Sequence, residues 1–170
     1  MIETLGNLGD FIGGIAVVIT LMYLAIQIRQ NTRAVRASSR QAVVDSYRTL
    51  NRLLIDPSVA RSFSTGLTSY PNLPFEERSR FSALMNEHVL FFQSVLALFE
   101  SGQLEDHTYN IYREWIATVI ASPGGSAWWN TVRPIYTNAT VEALDERLKS
   151  GGLQDVLKFD AYRIDDEPCT

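Results

Sequence analysis

The hydrophobic pattern of the chain changes character once. Residues 11–28, Phe-Ile-Gly-Gly-Ile-Ala-Val-Val-Ile-Thr-Leu-Met-Tyr-Leu-Ala-Ile-Gln-Ile, carry no charge, and Gln27 in the last turn is their one strongly polar side chain. These eighteen residues at the helical rise make about 27 Å, close to the roughly 30 Å of a bilayer's hydrocarbon core. Everything after them is mixed in charge and patterned like a soluble helical domain. The pattern predicts an all-α protein: an N-terminal transmembrane helix continuing into a small cytoplasmic helical bundle. The expected divisions are a short extracytoplasmic N-terminus at 1–10, the span at 11–28 and a basic juxtamembrane helix at 29–56. A helical head follows at 57–152 and an acidic tail at 153–170.

No glycine or proline interrupts Ile15 to Asp56, so a helix could run well past the span. An apolar seven-residue series, Leu21, Ile28, Val35 and Ala42, is a weak coiled-coil signal, because Asn31, Ser38 and Asp45 would sit in the seam. Pro57 is expected to open a short helix at 58–68. A longer helix at 75–101 follows, with Glu76 and Glu77 in its first turn, where the helix dipole favours acids. Its apolar positions Phe81, Leu84, Met85, Val89, Phe92, Val95, Leu96 and Phe99 recur at helical spacing, and Gly102 is placed to stop it. Leu104 to Ile120 reads as the partner helix. The stretch Ser122-Pro-Gly-Gly125 reads as a tight turn and helix cap before Trp128-Trp129, Pro134 as a kink or stop, and 140–149 as a last short helix.

Charge gives the span a direction. Glu3 and Asp10 precede it, whereas Arg29, Arg33, Arg36 and Arg40 follow it. By the positive-inside rule the C-terminal side is cytoplasmic and the N-terminus lies outside. A cleaved signal peptide would show the opposite order, a positive start and a small-residue cleavage site after the apolar core. Residues 29–52 hold six arginines against one acid, and residues 53–170 carry a net charge of −7. A basic collar beside an apolar helix suggests contact with anionic lipid headgroups. A nucleic-acid binder would instead carry its basic patch on the folded domain. The collar arginines, spaced 4, 3 and 4, fall within about 60° of one another on a helix. The single cysteine, Cys169, allows no intramolecular disulfide, which fits a reducing compartment.

The stretches Ile28-Arg-Gln-Asn-Thr-Arg-Ala-Val-Arg36 and Ser122-Pro-Gly-Gly-Ser-Ala-Trp-Trp129 carry a resemblance. Over roughly residues 8–137 the chain resembles a widespread, functionally uncharacterised family of small single-pass bacterial membrane proteins. That family has an N-terminal span, an IRQNTRA juxtamembrane motif, an acidic-aromatic helix pair and an SPGG…WW turn. The resemblance implies a bacterial inner membrane and an all-helical head. It brings no activity and no functional residue with it.

Candidate chemistry is sparse. His88 beside Glu87, and His107 after Glu105-Asp106, lack the His-x-x-x-His or Glu-x-x-His spacing of helical metal sites, so surface or partly buried histidines are expected. No nucleophile elbow surrounds a serine, and Ser122-Pro-Gly-Gly lacks the lysine of a phosphate loop. The expectation is no enzyme, no cofactor and no metal. Gly9 and Gly13 have the small-xxx-small spacing that lets membrane helices pack closely. Of Trp128 and Trp129, one is expected in the core and the other at an interface with a subunit or with lipid. The functional expectation is a homo-oligomeric membrane assembly or scaffold. In its most specific form the assembly encloses a pore or lipid-filled space, with Asp10 as an outer ring. The alternative is an accessory subunit whose span packs against another membrane protein.

Overall fold

The computed structural model describes residues 2–159, with side chains described from Phe11 onward. The described residues form six α-helices and no strand: α1 (Ile2–Leu53), α2 (Pro57–Ser69), α3 (Phe75–Glu100), α4 (Asp106–Ile120), α5 (Pro123–Val132) and α6 (Asn138–Lys149). Contacts divide the chain into two compact units, Met1–Arg40 and Gln41–Thr170.

The described residues of the first unit are helix alone. From Phe11 to Ile28 every residue is exposed, with Phe11 and Ile28 each at 66%. The most apolar eighteen-residue window of the helix has a mean hydropathy of 2.2, and none of it is buried. The helix is long and apolar enough to cross a membrane. The seven-residue series does not form a packed seam here: Leu21, Ile28, Val35 and Ala42 are all exposed.

The second unit is a bundle whose helix ends are written in the sequence. Asp56 caps α2 by accepting the N–H groups of Ser58 (2.8 Å) and Val59 (3.3 Å), and Pro57 occupies the first turn. The Ser58 hydroxyl and N–H hold the Asp56 carboxyl below the usual carboxylate range. Helix α3 closes at Gly102, whose φ of 71° is open to glycine at no steric cost. Gly102 N–H bonds the Phe99 carbonyl and Gln103 N–H bonds the Leu98 carbonyl, the paired bonds that satisfy a helix C-terminus. Pro134 ends α5 in a single 3-10 turn, Arg133–Ile135.

Packing follows the apolar spacing. Phe81, Met85, Val89, Phe92 and Val95 of α3 are fully buried, as are Val119 of α4 and Leu144 of α6, with Ile116 and Ile120 almost so. Removing one such side chain from water stabilises the fold by about 1.5–3 kcal/mol. Helices α2 and α5 cross at two glycines. A Cβ on Gly124 would collide with the Gly66 carbonyl, and one on Gly66 would enter the Phe81 ring.

The boundaries of this unit lie outside residues 57–152 on both sides. Val43 and Leu50 of α1 are buried in its core, and Tyr47 joins Phe91 and Tyr112 in an aromatic triad with centroids 5.0–5.5 Å apart. Val156, expected in an acidic tail, is 1% exposed, and Leu157 and Phe159 pack against the same core.

Candidate functional site

The apolar segment of α1 is the most unusual surface of the described chain. Its polar groups are partly spent within the helix. Thr20 donates to the Ala16 carbonyl (2.8 Å), as hydroxyls in helices commonly do, and Gln27 Nε2 donates to the Tyr23 hydroxyl (2.6 Å). A Cβ on Gly13 or Gly14 would meet nothing within 4 Å, so both glycines lie open on the surface. Gly9 and Asp10 lie outside the residues whose surroundings are described. The arginines 29, 33, 36 and 40 are all exposed on the same helix, immediately after the apolar segment.

The Ser122-Pro-Gly-Gly stretch is structural. Ser122 Oγ accepts the Gly125 N–H (3.0 Å) and donates to the Val119 carbonyl (2.8 Å). The glycines form the first turn of α5 rather than a free loop, because the helix must pass against the α2 backbone. Trp128 and Trp129 follow on that helix, and both are buried, at 1% and 2% exposure. The expectation of one outward ring therefore fails within this chain. Trp129 instead stacks near Tyr136 (5.6 Å) and donates from Nε1 to Asp145 (2.9 Å), whose other oxygen accepts from Arg133 (3.0 Å). Tyr136 donates to Asn86 (2.8 Å), and burial pushes its hydroxyl up to about 12. Arg147 reaches Glu114 with two guanidinium nitrogens, the second at 2.6 Å, which raises the arginine further. These pairs lock α3, α5 and α6 together, and α4 to α6.

His88 also departs from expectation. It is 1% exposed, stacked on Phe63 with centroids 5.5 Å apart, and its Nδ1 lies 2.7 Å from the Leu84 carbonyl. A carbonyl can only accept, so Nδ1 donates in that contact, and burial holds the ring below its ordinary pKa. His107 is exposed. Among the described residues no group of three or more His, Cys, Asp or Glu side chains could hold a metal ion. Cys169 lies outside the described residues.

One cavity escaped the sequence pattern. A groove of about 910 Å³ runs between the last turns of α1 and the outer face of α3. Val43, Leu50, Phe91 and Val95 form its floor, and Leu53 and Leu90 its exposed rim. Its single charged lining residue is Glu87; the remaining polar groups are hydroxyls and the Gln103 amide. The signal for it is the heptad-spaced pair Val43 and Leu50, one residue out of register with the series Leu21, Ile28, Val35 and Ala42.

Fold and surface together define an all-helical protein whose N-terminal helix is long and apolar enough to cross a membrane. Set against family models, curated proteins and solved structures, the chain matches none of them.

Proposed function

We propose that the chain is a single-span protein of the bacterial inner membrane, with its N-terminus outside and its helical head in the cytoplasm. In this reading it assembles with copies of itself into a membrane scaffold. One observation carries the proposal: eighteen successive residues of high hydropathy, none of them buried, in a chain whose other exposed large apolar side chains, such as Ile55, Phe75 and Ile135, are scattered singly. Apolar surface of that extent is not left in water by soluble monomers, and a bilayer is the solvent that fits its length. The order of charges around it supports the orientation, and the four exposed arginines supply contact with anionic headgroups.

Membrane fractionation and site-directed labelling of the full chain test this reading. The protein is expected to resist alkaline carbonate extraction, to be labelled from outside at position 4, and from the cytoplasm at position 149. Recovery in the soluble fraction would overturn the membrane reading. In mild detergent the native mass is expected to exceed one copy of 19.1 kDa. A monomer at every concentration would sink the assembly, and a stoichiometric foreign chain would replace it with an accessory-subunit role.

A further inference from the structure

Residues 11–28 are not uniform around the helix. At 100° per residue, Gly13, Ala16, Thr20, Tyr23 and Gln27 fall within an arc about 80° wide. That arc holds all three polar side chains of the segment. The thirteen residues outside it are apolar, and all but Gly14 and Ala25 are bulky. The side chains lie open: Tyr23 is 59% exposed. A helix that met only lipid would have no reason to gather its polar groups on one side, because polar groups in a span turn towards protein.

We infer that this face, Gly13–Ala16–Thr20–Tyr23–Gln27, is the seam along which α1 meets a second copy of itself in parallel. The inference rests on the proposed membrane assembly and names the contact within it. Three observations select the face and its occupant. The internal hydrogen bonds leave Gln27 with a carbonyl and one N–H, and Tyr23 with its O–H, all on the seam. An amide is both donor and acceptor, so Gln27 can pair with the same residue of a parallel copy at the same height. The small residues Gly13 and Ala16 let the two backbones approach. Charge then decides the side: Arg29, Arg33, Arg36 and Arg40 centre about 150° from the seam on the same helix. Beyond Gln27 the seam continues through Asn31, Ala34 and Ser38, all uncharged. Parallel copies joined here hold their arginines apart and facing headgroups, whereas any seam on the arginine side would oppose like charges at equal height.

Single cysteines introduced into the full chain carrying Cys169→Ser, oxidised in native membranes, test the face. Ala16→Cys, Thr20→Cys and Gln27→Cys are expected to give disulfide dimers at least tenfold more readily than Val18→Cys, Met22→Cys and Ala25→Cys. In detergent, Gln27→Leu is expected to weaken self-association about threefold to tenfold. Dimers formed through positions 18, 22 and 25 overturn the seam and leave the assembly standing. No dimer from any position, with a monomeric native mass, overturns both. Undiminished association of Gln27→Leu removes the amide pairing from the inference.

Discussion

Two of the described helices are long and apolar enough to cross a membrane, and they use that property in opposite ways. Helix α3 has a most apolar window of mean hydropathy 1.2, half of it buried, and it is the central element of the bundle. The N-terminal helix reaches 2.2 and buries none of that window. The difference lies in how the apolar residues are arranged. On α3 they recur at helical spacing and leave Glu76, Glu87 and Glu100 exposed, so one side is matched by the apolar faces of α2, α4 and α6. Between Phe11 and Ile28 the bulky apolar residues cover most of the circumference and exclude charge entirely. A helix of the first kind needs protein partners; one of the second kind needs an apolar solvent.

Substitutions can break this contrast. The largest effect is expected from Ile19→Arg combined with Met22→Arg. Each arginine near a bilayer centre costs about 2.5–3.5 kcal/mol on an insertion scale, so the protein should leave the membrane pellet. The circular dichroism of the head should persist; a retained pellet would sink the solvent argument. Next comes Gly124→Val, which drives two extra methyl groups and a Cβ into the Gly66 backbone. Overpacking of this kind costs about 3 kcal/mol, and the thermal unfolding of the full chain should fall by several degrees or lose cooperativity. An unchanged melting temperature would show that the α2–α5 crossing relaxes freely.

Burial of His88 makes a pH prediction with a definite sign. Its folded pKa lies below the ordinary value of 6.5, so the unfolded chain binds the proton first. The stability it contributes is complete above that ordinary value and is lost as pH falls from it towards the depressed folded value. The limiting slope is about 1.4 kcal/mol per pH unit. The difference between wild type and His88→Gln in denaturant titrations should show this slope; parallel pH profiles would refute it. Trp129→Phe removes the donor to Asp145 while Arg133 keeps its bond to that carboxylate, and about 1 kcal/mol is expected. The smallest effect belongs to Arg48→Ala. Its pair with Asp45 is exposed on both sides, and the loss should stay within about 0.5 kcal/mol.

Much of the fold was legible because its cues are local. Asp56-Pro57, Gly102, Ser122-Pro123 and Pro134 mark helix ends through the geometry of a few adjacent residues, and each end lies within about two residues of its expected place. The core face of α3 was legible from spacing alone. The bundle's limits were not. Val43, Leu50 and Val156 sit in segments whose composition reads as collar and tail, and only their contacts assign them to the core. Trp128 and Trp129 misled for the same reason. Adjacent residues on an isolated helix point about 100° apart, but α5 lies so deep that both directions are interior. The depth comes from Gly66 and Gly124, distant in sequence, which let two backbones touch.

What the sequence by itself determined is the set of helices, the apolar segment with its charge order, and the gathering of Gly13, Ala16, Thr20, Tyr23 and Gln27 on one side of that segment. Periodicity, caps and composition act over a few turns and need no partner. Only the tertiary structure decided that α3 is covered and residues 11–28 are bare, that both tryptophans and His88 are interior, and that a groove opens beside α3. Burial belongs to pairs of surfaces. A sequence displays one surface at a time, and the partner appears only when the chain is folded.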